Sequence, residues 1–239
     1  MPNDSHLETL SNLAASLGIH DRLSAAAAIA ATLTPLARLQ AGLAGPSPLF
    51  LLEDATTERD GEEIASALAL AACHRGAVWA MPGRSLAARL TQAALRGSEC
   101  VALSYLPSSG DSVQTICAAL TNETWSGRIE GTIESFEGPL VPLWLAVTRS
   151  RDPSHPDLAR RTLRIVCDGD LEHPSAAELG AAHRAARALL LAWEDAGRPT
   201  QDGLRAFGGF EGWSATVRQA LVWAGAVDPV DACTWRGES

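Results

Sequence analysis

Five short apolar runs alternate with alanine- and leucine-rich helical segments along the middle of the chain, and that alternation most limits what it can fold into. The runs lie in PLFLLED, GAVWAMP, ECVALSYL, VPLWLAVTRS and RRTLRIVCDG. The intervening IASALALAAC, SLAARLTQAALRGS and DSVQTICAALTNETW have apolar residues at helical spacing. Strands alternating with helices predict an α/β fold in which helices flank a layered sheet. SGRIEGTIESFEG adds a pair of short strands, and HPDLARR a short helical turn.

Helices dominate both ends. HLETLSNLAASLG and SAAAAIAATLTPLARLQAGLAG read as helices, the second interrupted by Pro35. Beyond Gly169, SAAELGAAHRAARALLLAWEDAG begins at Pro174 and Ser175 and ends at Gly197, and GFEGWSATVRQALVWAGAVDP forms a further helix. The expected division is an amino-terminal helical segment at 1–44, an α/β core at 45–172 and a carboxy-terminal helical subdomain at 173–239. At 239 residues and 46% hydrophobic, the chain is large enough for one sizeable core with a small appended unit. No apolar run reaches the roughly 18 residues needed to cross a membrane, and MPNDSHLETL lacks the basic start of a signal peptide. The expectation is a cytoplasmic protein without a membrane partner.

The five cysteines are odd in number, widely separated and set mostly in apolar contexts, the pattern of reduced buried thiols. His74 beside Cys73 has no spaced second pair of ligands, and His155 stands alone. All 19 basic residues are arginine and the net charge is −9. That balance disfavours a broad electrostatic surface for DNA but permits a local arginine patch at Arg149, Arg151, Arg160 and Arg161.

The unit at residues 48–72, a strand followed by a polar turn and a helix, has the layout that holds a phosphate loop in nucleotide-binding proteins. Its turn carries Glu53, Asp54, Glu58, Asp60, Glu62 and Glu63 instead. Like charges about 4 Å apart cost on the order of 1 kcal/mol in water and more where partly buried, so triphosphate oxygens are repelled here. Clustered carboxylates at Glu53, Asp54, Glu58 and Asp60 have the chemistry to hold Ca²⁺ or Mg²⁺. A solvated acidic loop favouring the following helix start is the plainer explanation and the favoured one.

Four stretches carry a family resemblance: LTPLARLQAGLAGPSPLFLL, ALTNETWSGRIEG, WLAVTRSRDPSHPDLARRTLRIVCDGDLEHP and FGGFEGWSATVRQALVWAGAVDP. In that order and spacing, over roughly residues 25 to 232, the chain resembles the carboxy-terminal P-loop ATPase domain of phage and mobile-element primase-helicase proteins. The resemblance implies a P-loop NTPase-like fold and places the phosphate loop on Thr57, Glu58, Arg59, Asp60, Gly61 and Glu62. A working loop needs glycines that let backbone N–H groups surround phosphates, a lysine and a magnesium-binding hydroxyl. None stands at its matched position, and the chain has no lysine. The magnesium-orienting carboxylate matches Ser104, followed by Tyr105, and the polar sensor matches Arg149 and Ser150.

What survives is the pair Arg160 and Arg161, matched to the family's arginine finger, where a guanidinium fork stabilises charge on a transferring phosphoryl group. An arginine pair at a helix end is more commonly an interface contact, a surface ion pair or a dipole partner. The resulting expectation is a catalytically inactive ATPase-like module without a cofactor. It would bind a replication or helicase-type protein, or itself through the old ring interface. The alternative is an ATP-independent nucleic-acid-binding protein using the arginine-rich segment. An enzyme of another kind would need a constellation that residue spacing does not display. Of the seven tryptophans most fall in apolar periodic segments and are expected in the core, while Trp125 and Trp235, in polar surroundings, are the candidates for exposure and base stacking.

Overall fold

The computed structural model describes the chain apart from residues 1, 55–57, 74, 82, 84–85, 108, 149–154 and 234–239, and apart from the side chains of 2–4, 54 and 58–60. The elements run in the order α1 (Pro2–Ser16), α2 (Arg22–Gln40), β1 (Leu49–Asp54), α3 (Glu58–Ala72), β2 (Val78–Ala80), α4 (Leu86–Leu95) and β3 (Cys100–Leu103). There follow α5 (Asp111–Thr121), β4 (Thr124–Arg128), β5 (Ser135–Pro139), β6 (Leu143–Thr148), α6 (Pro156–Ala159), β7 (Thr162–Cys167) and α7 (Ala176–Asp195). The chain then forms α8 (Glu211–Trp213), a π-helical turn at Ser214–Arg218, α9 (Gln219–Trp223) and a 3₁₀ turn at Pro229–Cys233.

The five apolar runs form one parallel sheet in the order β2-β3-β6-β1-β7, and β4 pairs antiparallel with β5 in a separate hairpin. The α/β fold with flanking helices is therefore as the alternation predicts. Successive side chains on a strand point to opposite faces, which divides β1 cleanly. Phe50 and Leu52 enter a core shared with α1, α2, α3 and α7, whereas Leu49 and Leu51 enter a second core with α4, α5 and α6. All four are fully buried, and each contributes about 2 kcal/mol relative to an exposed side chain. Cover on both faces explains the continuous apolar run where a half-exposed strand would alternate.

The helices at both chain ends pack into the same core as the sheet, with α1 and α2 against α7. Tight backbone contact joins them to β7: Asp168 and Gly169 both donate N–H to the Gly18 carbonyl. Gly18 has φ +71°, and a Cβ there would lie 2.6 Å from the Gly169 carbonyl oxygen, so only glycine fits without displacement.

The structure corrects two sequence readings. Pro35 does not interrupt α2, which continues to Gln40. Its flank from Ala26 to Ala37 is buried all round, so packing outweighs a proline penalty of about 3 kcal/mol. Thr34, buried beside Pro35, donates to the Ala30 carbonyl and accepts from Trp213 Nε1 at 3.0 Å, tying α8 to α2. Trp125 is not displayed to solvent but half-buried: it faces α4 and donates Nε1–H to Thr91 Oγ1 at 2.9 Å. Its neighbours are polar because β4 alternates exposed and covered positions. Trp144, Trp193 and Trp213 are fully buried, as expected. Trp235 lies outside the described residues.

Candidate functional site

Because the five strands are parallel, their carboxyl ends share one edge, where open α/β sheets place ligands. Along it stand Ala80, Leu103, Thr148, Asp54 and Cys167, the last residues of β2, β3, β6, β1 and β7. The segments matched to the magnesium-orienting strand (β3), the sensor strand (β6) and the phosphate-loop strand (β1) are consecutive neighbours in that order.

Glu53, next to the end of β1, is buried and ion-paired through Oε2 to Arg164 Nε on β7. The pairing is diagonal: Glu53 lies opposite Val166, and Arg164 opposite Leu51. Of the phosphate-loop positions, Thr57 lies outside the described residues. Glu58, Arg59, Asp60, Gly61 and Glu62 are the first five residues of α3, so these positions form helix. Gly61 is buried and Glu62 exposed. Glu63 lies one position on, with Oε2 at 3.7 Å from His173 Nδ1. The first N–H groups of a helix lack intrahelical acceptors, but the exposed Glu62 carboxylate beside them opposes an anion.

Ser104 follows β3 directly and donates N–H to the Ala80 carbonyl at 3.3 Å. Its side chain lines a cavity of about 400 Å³ together with Glu62, Trp79, Met81 and Arg89. A second hollow of about 470 Å³ shares Glu62 and Trp79 and extends along α3 to His173, Pro174 and the start of α7. Arg89 is exposed and has no ion-pair partner among the described residues. The crevice thus presents one guanidinium, an indole, a thioether and a hydroxyl beside Glu62. Sequence reasoning did not single out Trp79, Met81 or Arg89 as site residues. Arg89 lies on the polar face of an ordinary amphipathic helix, which carries no signal of its own.

Arg160 and Arg161 lie elsewhere. They follow α6 and lead into the amino end of β7, and the Arg161 carbonyl accepts from Leu49 N at the start of β1. With β1 six residues long and a rise of about 3.3 Å per residue, the arginines sit at the opposite edge of the sheet from Glu53. Both turn to Asp157: Arg160 Nη2 is 2.7 Å and Arg161 Nη1 3.6 Å from Oδ1. Arg161 also donates to the Asp157 carbonyl. Arg160 is exposed, whereas Arg161 is largely covered and its buried Nε has no partner. His155 caps α6, Nδ1 accepting from Asp157 N at 3.3 Å. Cys117 is close by: burial raises its thiol pKa, and Arg161 partly offsets that.

Arg149, Ser150, Arg151 and His74 lie outside the described residues, as do the side chains of Asp54, Glu58 and Asp60. Among the described residues no group of three or more His, Cys, Asp or Glu side chains is placed to hold a metal ion. No helix among them is long and apolar enough to cross a membrane. The chain matches no family model, and comparison with curated proteins and with solved structures likewise produced no match.

Proposed function

We propose that the chain is a catalytically inactive ATPase-like module with a P-loop NTPase-like core, retained for binding or scaffolding in phage or mobile-element DNA replication or recombination. The observation that carries this reading is Glu53. A buried carboxylate, neutralised by Arg164, occupies the end of the strand that a nucleotide's phosphates would approach. Ser104 stands where the resemblance calls for a magnesium-orienting carboxylate, and it lacks the charge to hold the ion. The adjacency of β1, β6 and β3 along the carboxyl edge supports a shared ancestry of these positions. The link to DNA replication rests on the resemblance alone.

On this reading the partner is a protein: a helicase-type oligomer, another replication protein, or a second copy of the chain. Arg160, exposed at the edge opposite the crevice, suits contact with a neighbour better than contact with its own crevice. The test is calorimetric titration of the purified protein with ATP and Mg²⁺ beside a thermal-shift measurement, in which a ligand of the folded state raises the midpoint. The expected result is silence in both. Saturable binding overturns the reading. Partner association that persists at high salt supports the scaffold role, whereas strongly salt-dependent affinity for DNA replaces it with nucleic-acid binding.

A further inference from the structure

The crevice at the carboxyl edge holds two opposite charges that do not meet. Glu62, near the start of α3, and Arg89, one turn into α4, line the same cavity of about 400 Å³. Both residues are exposed, and neither side chain has an ion-pair partner among the described residues. The adjoining acid is already engaged, since Glu63 faces His173. The remaining walls are Trp79, Met81 and Ser104. Trp79 is half-buried, and Met81 is left 63% exposed where β2 ends.

An exposed guanidinium or carboxylate bound only by water is hydrated at little cost, so neither charge demands a ligand by itself. Together they select one. A simple anion drawn by Arg89 is opposed by Glu62, and a simple cation drawn by Glu62 is opposed by Arg89. A ligand carrying both charges meets each with its opposite. Walls of indole and thioether keep some water away from such pairs, which strengthens them relative to pairs on an open surface.

We propose that this cavity binds a free α-amino acid with an apolar side chain, its carboxylate paired with Arg89, its ammonium with Glu62, and its side chain laid against Trp79 and Met81. An α-amino acid holds its two charges on either side of one carbon, which suits two groups facing each other across one small cavity. The guanidinium fork matches a carboxylate, and an indole with a thioether suits an aromatic or aliphatic body. The volume falls in the range of small-ligand sites. The inference rests on these lining side chains and not on the vacated phosphate loop, and no nucleotide enters its test.

The experiment is an amide NMR titration of the full chain at pH 7 with L-phenylalanine, 3-phenylpropionate, phenethylamine and glycine. The last three lack, in turn, the ammonium, the carboxylate and the apolar side chain. Phenylalanine is expected to saturate with a Kd on the order of 1 mM or tighter, a range open to a ligand of its size. Its shifts should centre on Trp79, Met81, Arg89 and Ser104, and the other three compounds should bind at least about fivefold more weakly. Arg89→Met should weaken phenylalanine at least about fivefold and erase its advantage over phenethylamine, while its advantage over 3-phenylpropionate stays. Glu62→Gln should do the converse. A general loosening of the crevice does not exchange the preferences in that way. Both substitutions are at exposed positions, where the fold tolerates change, and amide dispersion checks it. Ser104→Leu, which fills the cavity without touching either charge, should block phenylalanine. Equal response to all four compounds, preferences unchanged in both charge variants, shifts centred elsewhere, or no saturable shift at all would each overturn the proposal.

Discussion

Arg164 on β7 is ion-paired to Glu53 on β1 although 111 residues separate them in the chain. Two features of the strands bring them together: the parallel pairing of β1 with β7, and the alternation that puts both side chains on the same face. Glu53 is almost wholly buried, whereas about a third of the Arg164 side chain meets solvent. The two partners therefore differ in what their loss exposes. Arg164→Met removes the countercharge of a buried carboxylate and should cost about 3 kcal/mol. Glu53→Gln leaves an arginine that still reaches water and should cost about 1 kcal/mol or less. Urea unfolding at pH 7 with an unchanged m-value is the measurement. Equal costs for the two variants would mean that the pair is hydrated and contributes little.

How much of this was legible in the sequence follows from the range of the forces involved. The continuous apolar runs around Leu49–Leu52 and Leu143–Val147 announce strands covered on both faces. Helix caps such as Ser175 with Glu178, which satisfy each other within three residues, are equally local. Strand order is not local: nothing in β1 itself says that β6 and β7 will flank it. The Glu53–Arg164 pair was hidden for that reason. Glu53 reads as part of an acidic turn, and the only hint of its partner is a lone arginine within TLRIVC, a strand that otherwise shuns charge. Trp125 misled in the opposite direction, because the polar residues around it in sequence are not the ones around it in space. Ser104 is singled out by the resemblance alone, and the cavity that it shares with Trp79 and Arg89 depends on β2 pairing with β3.

Asp21 caps α2, its Oδ2 accepting from Ser24 N at 2.8 Å. Partial burial raises its carboxyl pKa, but hydrogen bonds from Ser24 and from the Leu23 and Arg22 backbones outweigh that and hold it below the ordinary 3.8. A native pKa below the unfolded one means the charged cap stabilises fully above the unfolded value, and that stabilisation is lost as pH falls through the native value. Asp21→Ala should thus cost about 1 kcal/mol at pH 7, and its deficit against wild type should shrink as pH falls through the lowered native pKa of Asp21. Asp21→Asn, a cap without a titrating charge, should remove that acid-limb contribution. Denaturant midpoints measured from pH 2 to 7 check both. A deficit for Asp21→Ala that stays constant down to pH 2 would mean that the carboxylate charge adds nothing to the cap.

The thiols should react in an order set by their surroundings. Burial pushes Cys73 up to about 12, with Glu99 adding to the shift, and burial alone pushes Cys233 up to about 11. Cys100 is raised well above its ordinary value by burial and then by Cys73. Cys117 is only half-buried, and neighbouring Arg161 offsets part of its upward shift. Since the thiolate is the reactive form, iodoacetamide at pH 8 should label Cys117 first and Cys233 more slowly. Cys73 and Cys100 should label only as fast as the protein opens. Timed labelling read by peptide mass spectrometry tests the order. Native labelling of Cys73 as fast as that of Cys117 would contradict the burial of the α3 end.

Restoring one missing group should not restore nucleotide binding. Ser104→Asp would put a carboxylate where the resemblance expects the magnesium-orienting one, beside Trp79 and Arg89 at the half-exposed end of β3. That carboxylate acts on an ion already held by phosphates, and phosphates need N–H donors and a lysine that the chain does not contain. Adding charge near Glu62 also deepens the field that opposes an anion. The variant should fold with stability within about 0.5 kcal/mol of wild type, as surface changes usually do, and show no thermal shift with ATP and Mg²⁺. Saturable ATP binding or hydrolysis by Ser104→Asp would mean that a competent phosphate cradle persists around the start of α3, and the inactive-ATPase reading would fall with it.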